Sequence, residues 1–243
     1  MEEISLKAQQ LFHLGSFNVT NGLLMTLVAS LVLIIFSLYF KSKIKIVPGK
    51  LQGVVEMGVE SLLGLMESTL GSIKNAEKYF PLIATIFIFI LTSNLLGIFP
   101  GVGSLKFENS GAEIPLFRSP AADLNFTLAF AVISVIVTNV IGMMSVGAFK
   151  HLGKYFNFHG PINFFIGVLE LVSELAKIIS LSFRLFGNVF AGEVLLTIIA
   201  FLAPYFIPLP FLFLEIFVGA IQAFIFATIT LVSISLHTAT HEH

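Results

Sequence analysis

The chain contains no cysteine and no tryptophan, and only 11% of its 243 residues are charged. Without thiols there can be no disulfide framework, no thiolate metal site and no dithiol redox chemistry. The 13 basic and 14 acidic side chains leave a net charge of −1, so there is no basic footprint for nucleic acid. No G-x-x-x-x-G-K-[ST] loop is present, so the chain should not bind and split ATP by itself. No catalytic site of its own, no cofactor and no metal site is expected. A water-soluble fold needs about a quarter of its residues charged to cover its surface. What takes their place is apolar: 56% of the chain is hydrophobic and 27 residues are Phe. The composition is that of an integral membrane protein, and the apolar runs suit helices rather than barrel strands.

Four runs read directly as spans: 20–40, 80–99, 124–147 and 209–236. The residues before the first, Met-Glu-Glu-Ile-Ser-Leu-Lys, lack the basic leader of a cleaved signal, so 20–40 is expected to be retained. Lys41, Lys43, Lys45 and Lys50 follow the first span, and Lys150 and Lys154 follow the third. The positive-inside rule places both loops in the cytoplasm and the 100–123 loop, with Lys106 and Arg118, outside. An outer N-terminus (1–19) and a cytoplasmic C-terminus then require five crossings, so 162–203 must cross once. Residues 51–73 set Glu56, Glu60 and Glu67 on one helical face and Val59, Leu62, Leu63, Met66, Leu70 and Ile73 on the other. This pattern reads as an amphipathic helix on the inner leaflet; the alternative is a helix packed on other cytoplasmic parts.

The segment 162–203 would be about 63 Å long as one helix, roughly twice the hydrocarbon thickness. It carries Glu170, Glu174 and Lys177 early, and Pro204, Pro208 and Pro210 separate it from the last span. The expected fold is a single all-α membrane domain of five transmembrane helices plus one interfacial helix. Its last two helices, 162–236, form a long tilted hairpin suited to wrapping another surface.

Charges inside that hairpin carry the functional reading. Arg184 lies about 10 Å deeper than Lys177 along the helix axis, where an Arg costs several kcal/mol to insert. The alternative is a snorkelling side chain. An antiparallel turn at Pro204 sets Arg184 opposite Gln222, and Glu193 opposite Glu215 nearer the outer face. Ser180, Arg184 and Asn188 share one stripe, while Glu193 is turned about half a circle away. Gly219, Ala223 and Ala227 form a small-residue ladder for close helix approach. A permanent cation in a dry place holds an approaching carboxylate ionised and blocks cation leakage. Two neighbouring glutamates can share a proton at an inlet, unless one of them merely faces the headgroups.

Two readings compete: an ion-translocating component working against a partner, and a stand-alone transporter or channel in which Arg184 holds an anionic substrate. A purely structural anchor leaves the intramembrane charges unexplained. No internal repeat of the transporter kind is visible. His237 and His241, spaced i, i+4, together with His243, are weak metal candidates against a solvated C-terminus. His151 and His159 read as surface residues of a loop.

Ser182-Phe183-Arg184-Leu185-Phe186-Gly187-Asn188, followed by Ala191-Gly192-Glu193, resembles the signature of the a subunit of the rotary F-type ATP synthase. Ile221-Gln222-Ala223-Phe224-Ile225-Phe226 resembles its last-helix motif, and Asp123-Leu124-Asn125 the start of its third span. The resemblance implies an ion-translocating stator with two aqueous half-channels, facing a ring of c subunits and held by b-type peripheral stalk subunits. It implies that Arg184 faces the ring carboxylate with Asn188 and Gln222 beside it. Glu193 and Glu215 would line the outer half-channel, with Asp123, Glu170 and Lys177 as further half-channel candidates. The translocated ion would be H⁺ or Na⁺, and a bacterial plasma membrane the expected location.

Overall fold

The structure, a computed structural model, describes residues 8–14, 17–99, 102, 105–109, 112–155 and 161–238. Five helices are long and apolar enough to cross a membrane. They are α1 (Asn21–Lys43), α3 (Ile73–Ile98), α4 (Leu124–Val146), α6 (Pro161–Leu202) and α7 (Pro208–Thr238). Between them lie α2 (Lys50–Leu70) and the short α5 (Ala148–Gly153). The protein is an all-α integral membrane protein.

The helix starts follow from local chemistry. The Thr20 hydroxyl accepts from the Leu23 amide at α1, the Ser72 hydroxyl from Asn75 at α3, and the Asp123 carboxylate from Asn125 at α4. Lys41 and Lys43 close the last turn of α1, where cations suit the helix dipole. Pro208 opens α7 at a position whose N–H would have no helical partner.

The structure departs from the sequence expectation in two places. The interfacial helix ends at Leu70, because Gly71 takes the left-handed conformation (φ 75°) and caps it with a backbone bond to Glu67. Ile73 therefore begins α3 rather than ending α2, and the second span starts earlier than residue 80. The stretches 1–19 and 100–123, read as loops, contain two antiparallel hairpins: β1 (Gln10–Leu14) with β2 (Phe17–Thr20), and β3 (Lys106–Asn109) with β4 (Ala112–Pro115). Pairing these short strands satisfies backbone groups that a loose loop would leave to solvent. Both hairpins lie at one end of the bundle, here termed the strand end, where Asn21 Nδ2 donates to the Pro115 carbonyl. The opposite end, near Leu236 and His237, is termed the tail end.

Two cores hold the helices. Ile86 and Ile90 of α3, Ala131 of α4, Leu181, Leu185 and Val189 of α6, and Ala223 and Phe226 of α7 form the first. In the second, Met66 of α2 packs with Ala76, Tyr79 and Ile83 of α3 and Ala227, Leu231 and Ile234 of α7. Hydrogen bonds cross these apolar seams: Ser134 with Thr230 (2.7 Å), Thr127 with Ser182 (3.2 Å), and Asn94 Nδ2 to the Gly219 carbonyl (2.9 Å). The small-residue ladder of α7 thus serves α3, since a Cβ at Gly219 would meet the Asn94 side chain at 3.1 Å. The amphipathic helix α2 is covered by the rest of the protein on one side only. Met66 is buried in the protein, whereas Leu51, Val54 and Met57 stay uncovered beside Lys50.

Candidate functional site

α6 is continuous over 42 residues, so its charged groups are fixed at three heights. At the middle, Leu181 and Leu185 meet Ala223 and Phe226 in the first core. Arg184 and Gln222, each next in sequence to one of these, therefore stand at the same height. Ser180, Arg184 and Asn188 all face away from the core and are exposed, and Arg184 donates to Ser180 Oγ at 3.1 Å. Among the described residues no hydrogen bond joins Arg184 to Gln222. Along the stripe of Arg184 the exposed α6 residues are Ser180, Gly187, Asn188 and Ala191, whereas the uncovered Leu175, nine residues earlier, is turned about half a circle away. Gly187, beside Asn188, has nothing within 4 Å of where a Cβ would be. The cation sits on an open face of small and polar residues.

Toward the strand end, Glu193 points elsewhere. Its carboxylate lies 3.5 Å from Arg118 Nε, and the Arg118 guanidinium lies 5.8 Å from the Phe190 ring centre. Arg118 is buried, although the sequence reading counted it only as a charge of the outer loop. Its nearness to the start of α4 is the one signal that could have found it. Glu215 packs on Gly192, so the two glutamates share a height. One oxygen of each is buried without a hydrogen bond among the described residues. Asp123 is buried, caps α4 through Asn125 and lies against Gly22 of α1.

At the tail end, a cavity of about 540 Å³ is lined by residues including Lys150, Lys154, Glu170, Glu174, Lys177 and His237. Lys154 pairs with Glu170 (3.1 Å) and Lys177 with Glu174 (2.9 Å). His237 Nε2 lies 3.3 Å from Glu174, and Asn139 Nδ2 donates to the other Glu174 oxygen. The Asn139 carbonyl accepts from Tyr155 (2.8 Å) and from His151 Nε2 (3.1 Å). Burial, with Lys154 and His237 nearby, pushes the His151 imidazole below its ordinary value, and burial pushes the Tyr155 phenol up.

The histidines correct the sequence reading. His151 is buried against α4, and His237 of α7 is buried against α4 and α6 rather than solvated; the polar partners that draw them in come from distant segments. His159, His241 and His243 lie outside the described residues. The ligand atoms of Glu170, Glu174 and His237 lie within 4.8 Å of one another. Lys154 and Lys177 pair with the two carboxylates, which makes the group a salt-bridge network.

Residues 23–235 match the model of the family described as ATP synthase A chain. The chain belongs to this family. It is similar to the ATP synthase subunit a of Campylobacter concisus, at 36% identity over 88% of both chains. The subunit a of Moorella thermoacetica is 33% identical over 93% of this chain and 94% of its own. That of Campylobacter fetus is 34% identical over 96% and 95%. The family match reaches into all five long helices and includes Glu174, Arg184, Glu193, Glu215 and Gln222, but stops short of His237.

Proposed function

We propose that this member of the ATP synthase A chain family passes protons, or Na⁺, between two half-channels and the carboxylates of a c-subunit ring, and so couples ion flow to rotation. Family membership supports the coarser statement, an ion-translocating subunit of the synthase membrane sector. The observation that carries the finer one is Arg184, a permanent cation on an uncovered face of small and polar residues on a continuous α6. A ring of apolar helices bearing a carboxylate is the partner that such a face fits.

In this reading the strand end is the outer side. An ion enters past Glu215 and Glu193, where Arg118 offsets one negative charge, and neutralises a ring carboxylate, which can then move into lipid. After nearly a full turn it meets Arg184, which holds the carboxylate ionised and releases the ion to the tail-end cavity lined by Glu170 and Lys177. Asn188 and Gln222 are polar neighbours of that exchange, and Asp123 sets the start of α4. Each charge crossing supplies about 2.3 kcal/mol per 100 mV, so several are needed per ATP. Lys41, Lys43, Lys150 and Lys154 gather at the tail end, which supports a cytoplasmic C-terminus. A bacterial plasma membrane and b-type stalk partners complete the reading, with residues 1–243 acting as one membrane domain.

The test is ATP-driven acidification of inverted vesicles, native against Arg184→Ala, at matched complex levels. Loss of pumping with assembly and ATP hydrolysis retained supports the coupling role. Normal pumping by the variant overturns it.

A further inference from the structure

We propose that His237 and Glu174 form the proton-handling pair of the tail-end cavity, with His237 taking up and releasing the translocated proton while Glu174 holds its ring. This rests on the reading above that protons leave through this end.

The geometry assigns the atoms. Glu174 can only accept when ionised, so His237 Nε2 carries the hydrogen directed at it, at 3.3 Å. His237 Nδ1 is buried with no hydrogen-bond partner among the described residues, and its lone pair is left to receive a proton. Protonation there makes an N–H bond and an imidazolium with Glu174 as its counter-ion; the Nε2–H bond, which faces Glu174 at the cavity, is the one that breaks to release a proton and restore the neutral ring. Glu174 is itself held by Lys177 on α6 and Asn139 on α4. A second observation shows how closely α4 packs on both histidines. A Cβ at Gly142 of α4 would come within 2.9 Å of both His151 Nδ1 and His237 Cβ.

The surrounding charges suit the role. From α6 come Glu170, Glu174 and Lys177, and the two lysine pairs leave these carboxylates balanced. From α5 and the chain after it come Lys150, His151, Lys154 and Tyr155. The His151 ring meets His237 edge-on at 5.2 Å and is held toward its neutral form by burial and Lys154. It therefore adds no competing cation at neutral pH. The α2 and α3 neighbours of α7 at this end, Met66 and Ala76, are apolar.

In inverted vesicles of the whole complex, the tail end faces the buffer, so buffer pH addresses this cavity. ATP-driven acidification, normalised to uncoupled hydrolysis, is followed between about pH 5 and 8, the range in which a histidine changes charge. The native complex is expected to show an inflection in this range. His237→Gln, which can still donate to Glu174 but cannot take a proton, should pump at a reduced rate that shows no inflection. Glu174→Gln, which removes the group that holds the ring, should reduce the amplitude of the inflection. If His237→Gln assembles poorly, His237→Asn carries the same expectation. A profile for the assembled variant that keeps the native inflection, at full or reduced amplitude, overturns the proposal, as does a native profile without one. Arg184→Ala separates the two readings: if it pumps, the coupling mechanism fails, whereas a dead Arg184→Ala beside an unchanged His237→Gln profile removes only the histidine role.

Discussion

The Glu215 carboxyl group occupies the space over Gly192 that any side chain there would need: an ideal Cβ would lie 2.7 Å from Oε1 and 2.9 Å from Cδ. The sequence pattern set Glu215 opposite Glu193, and this contact is how the two helices bring them to one height. The obstructing atoms are the end of a flexible side chain, so Gly192→Ala can be absorbed by moving Glu215. The expected outcome is an assembled complex with normal ATP hydrolysis and reduced proton pumping. Gly192→Val should lower pumping further. Native pumping in both variants would show that the position of Glu215 is immaterial.

Arg118 gives a second test at the same height. It is buried beside Glu193 and Phe190, and Glu193 already has one oxygen lacking a hydrogen bond among the described residues. Arg118→Gln removes the cation and leaves the carboxylate under-compensated, a cost of about 1–3 kcal/mol. Pumping should fall several-fold while assembly and ATP hydrolysis are retained. Arg118→Lys should recover part of the activity, since it keeps the charge but not the planar fork. Equal rates for Gln and Lys at this position would mean that the charge is not used.

Gly142 tests the packing of the tail end. A Cβ there would meet His237 Cβ at 2.9 Å, and that atom is fixed to the backbone of α7. The neighbour cannot swing aside as Glu215 can. Gly142→Ala should therefore destabilise the α4–α7 contact by about 1–3 kcal/mol, the usual penalty for overpacking. The readout is a lower melting temperature of the detergent-solubilised complex, and an unchanged value would mean that the helices separate at little cost.

The long helices were legible because spans depend on apolar length and charge, both of which are local. The heights of Arg184, Glu193, Glu215 and Gln222 followed from symmetry about Pro204. What sequence spacing could not show is lateral placement. Arg118 and Glu193, 3.5 Å apart, belong to a loop and to a helix far along the chain. Glu174, Asn139, His151 and His237 come from four separate helices or their ends. A histidine reads as solvated when its only visible neighbours are the tail and a loop; its burial appears only when a partner such as Asn139 is packed against it. The hairpins were missed for another reason: strands of four or five residues are too short to show a reliable alternation.

His151 carries the last expectation, a pH dependence. Its imidazole is held below the ordinary value of 6.5 by burial first, then by Lys154 and His237. The fold thus prefers the neutral ring, whose Nε2–H serves the Asn139 carbonyl. A folded value lower than the unfolded one means that the unfolded segment binds more protons in between, so stability rises with pH across that window. The contribution is complete above about pH 6.5 and is lost as the pH falls through the folded value. Hydrogen exchange of the α5 amides (Ala148–Gly153) in the intact complex should therefore lose protection on acidification below about pH 6.5, after correction for the intrinsic exchange rate. His151→Gln, which can still donate to Asn139 but does not titrate, should flatten that loss. Equal acid sensitivity in the two proteins would assign the effect to another group, His237 being the nearest.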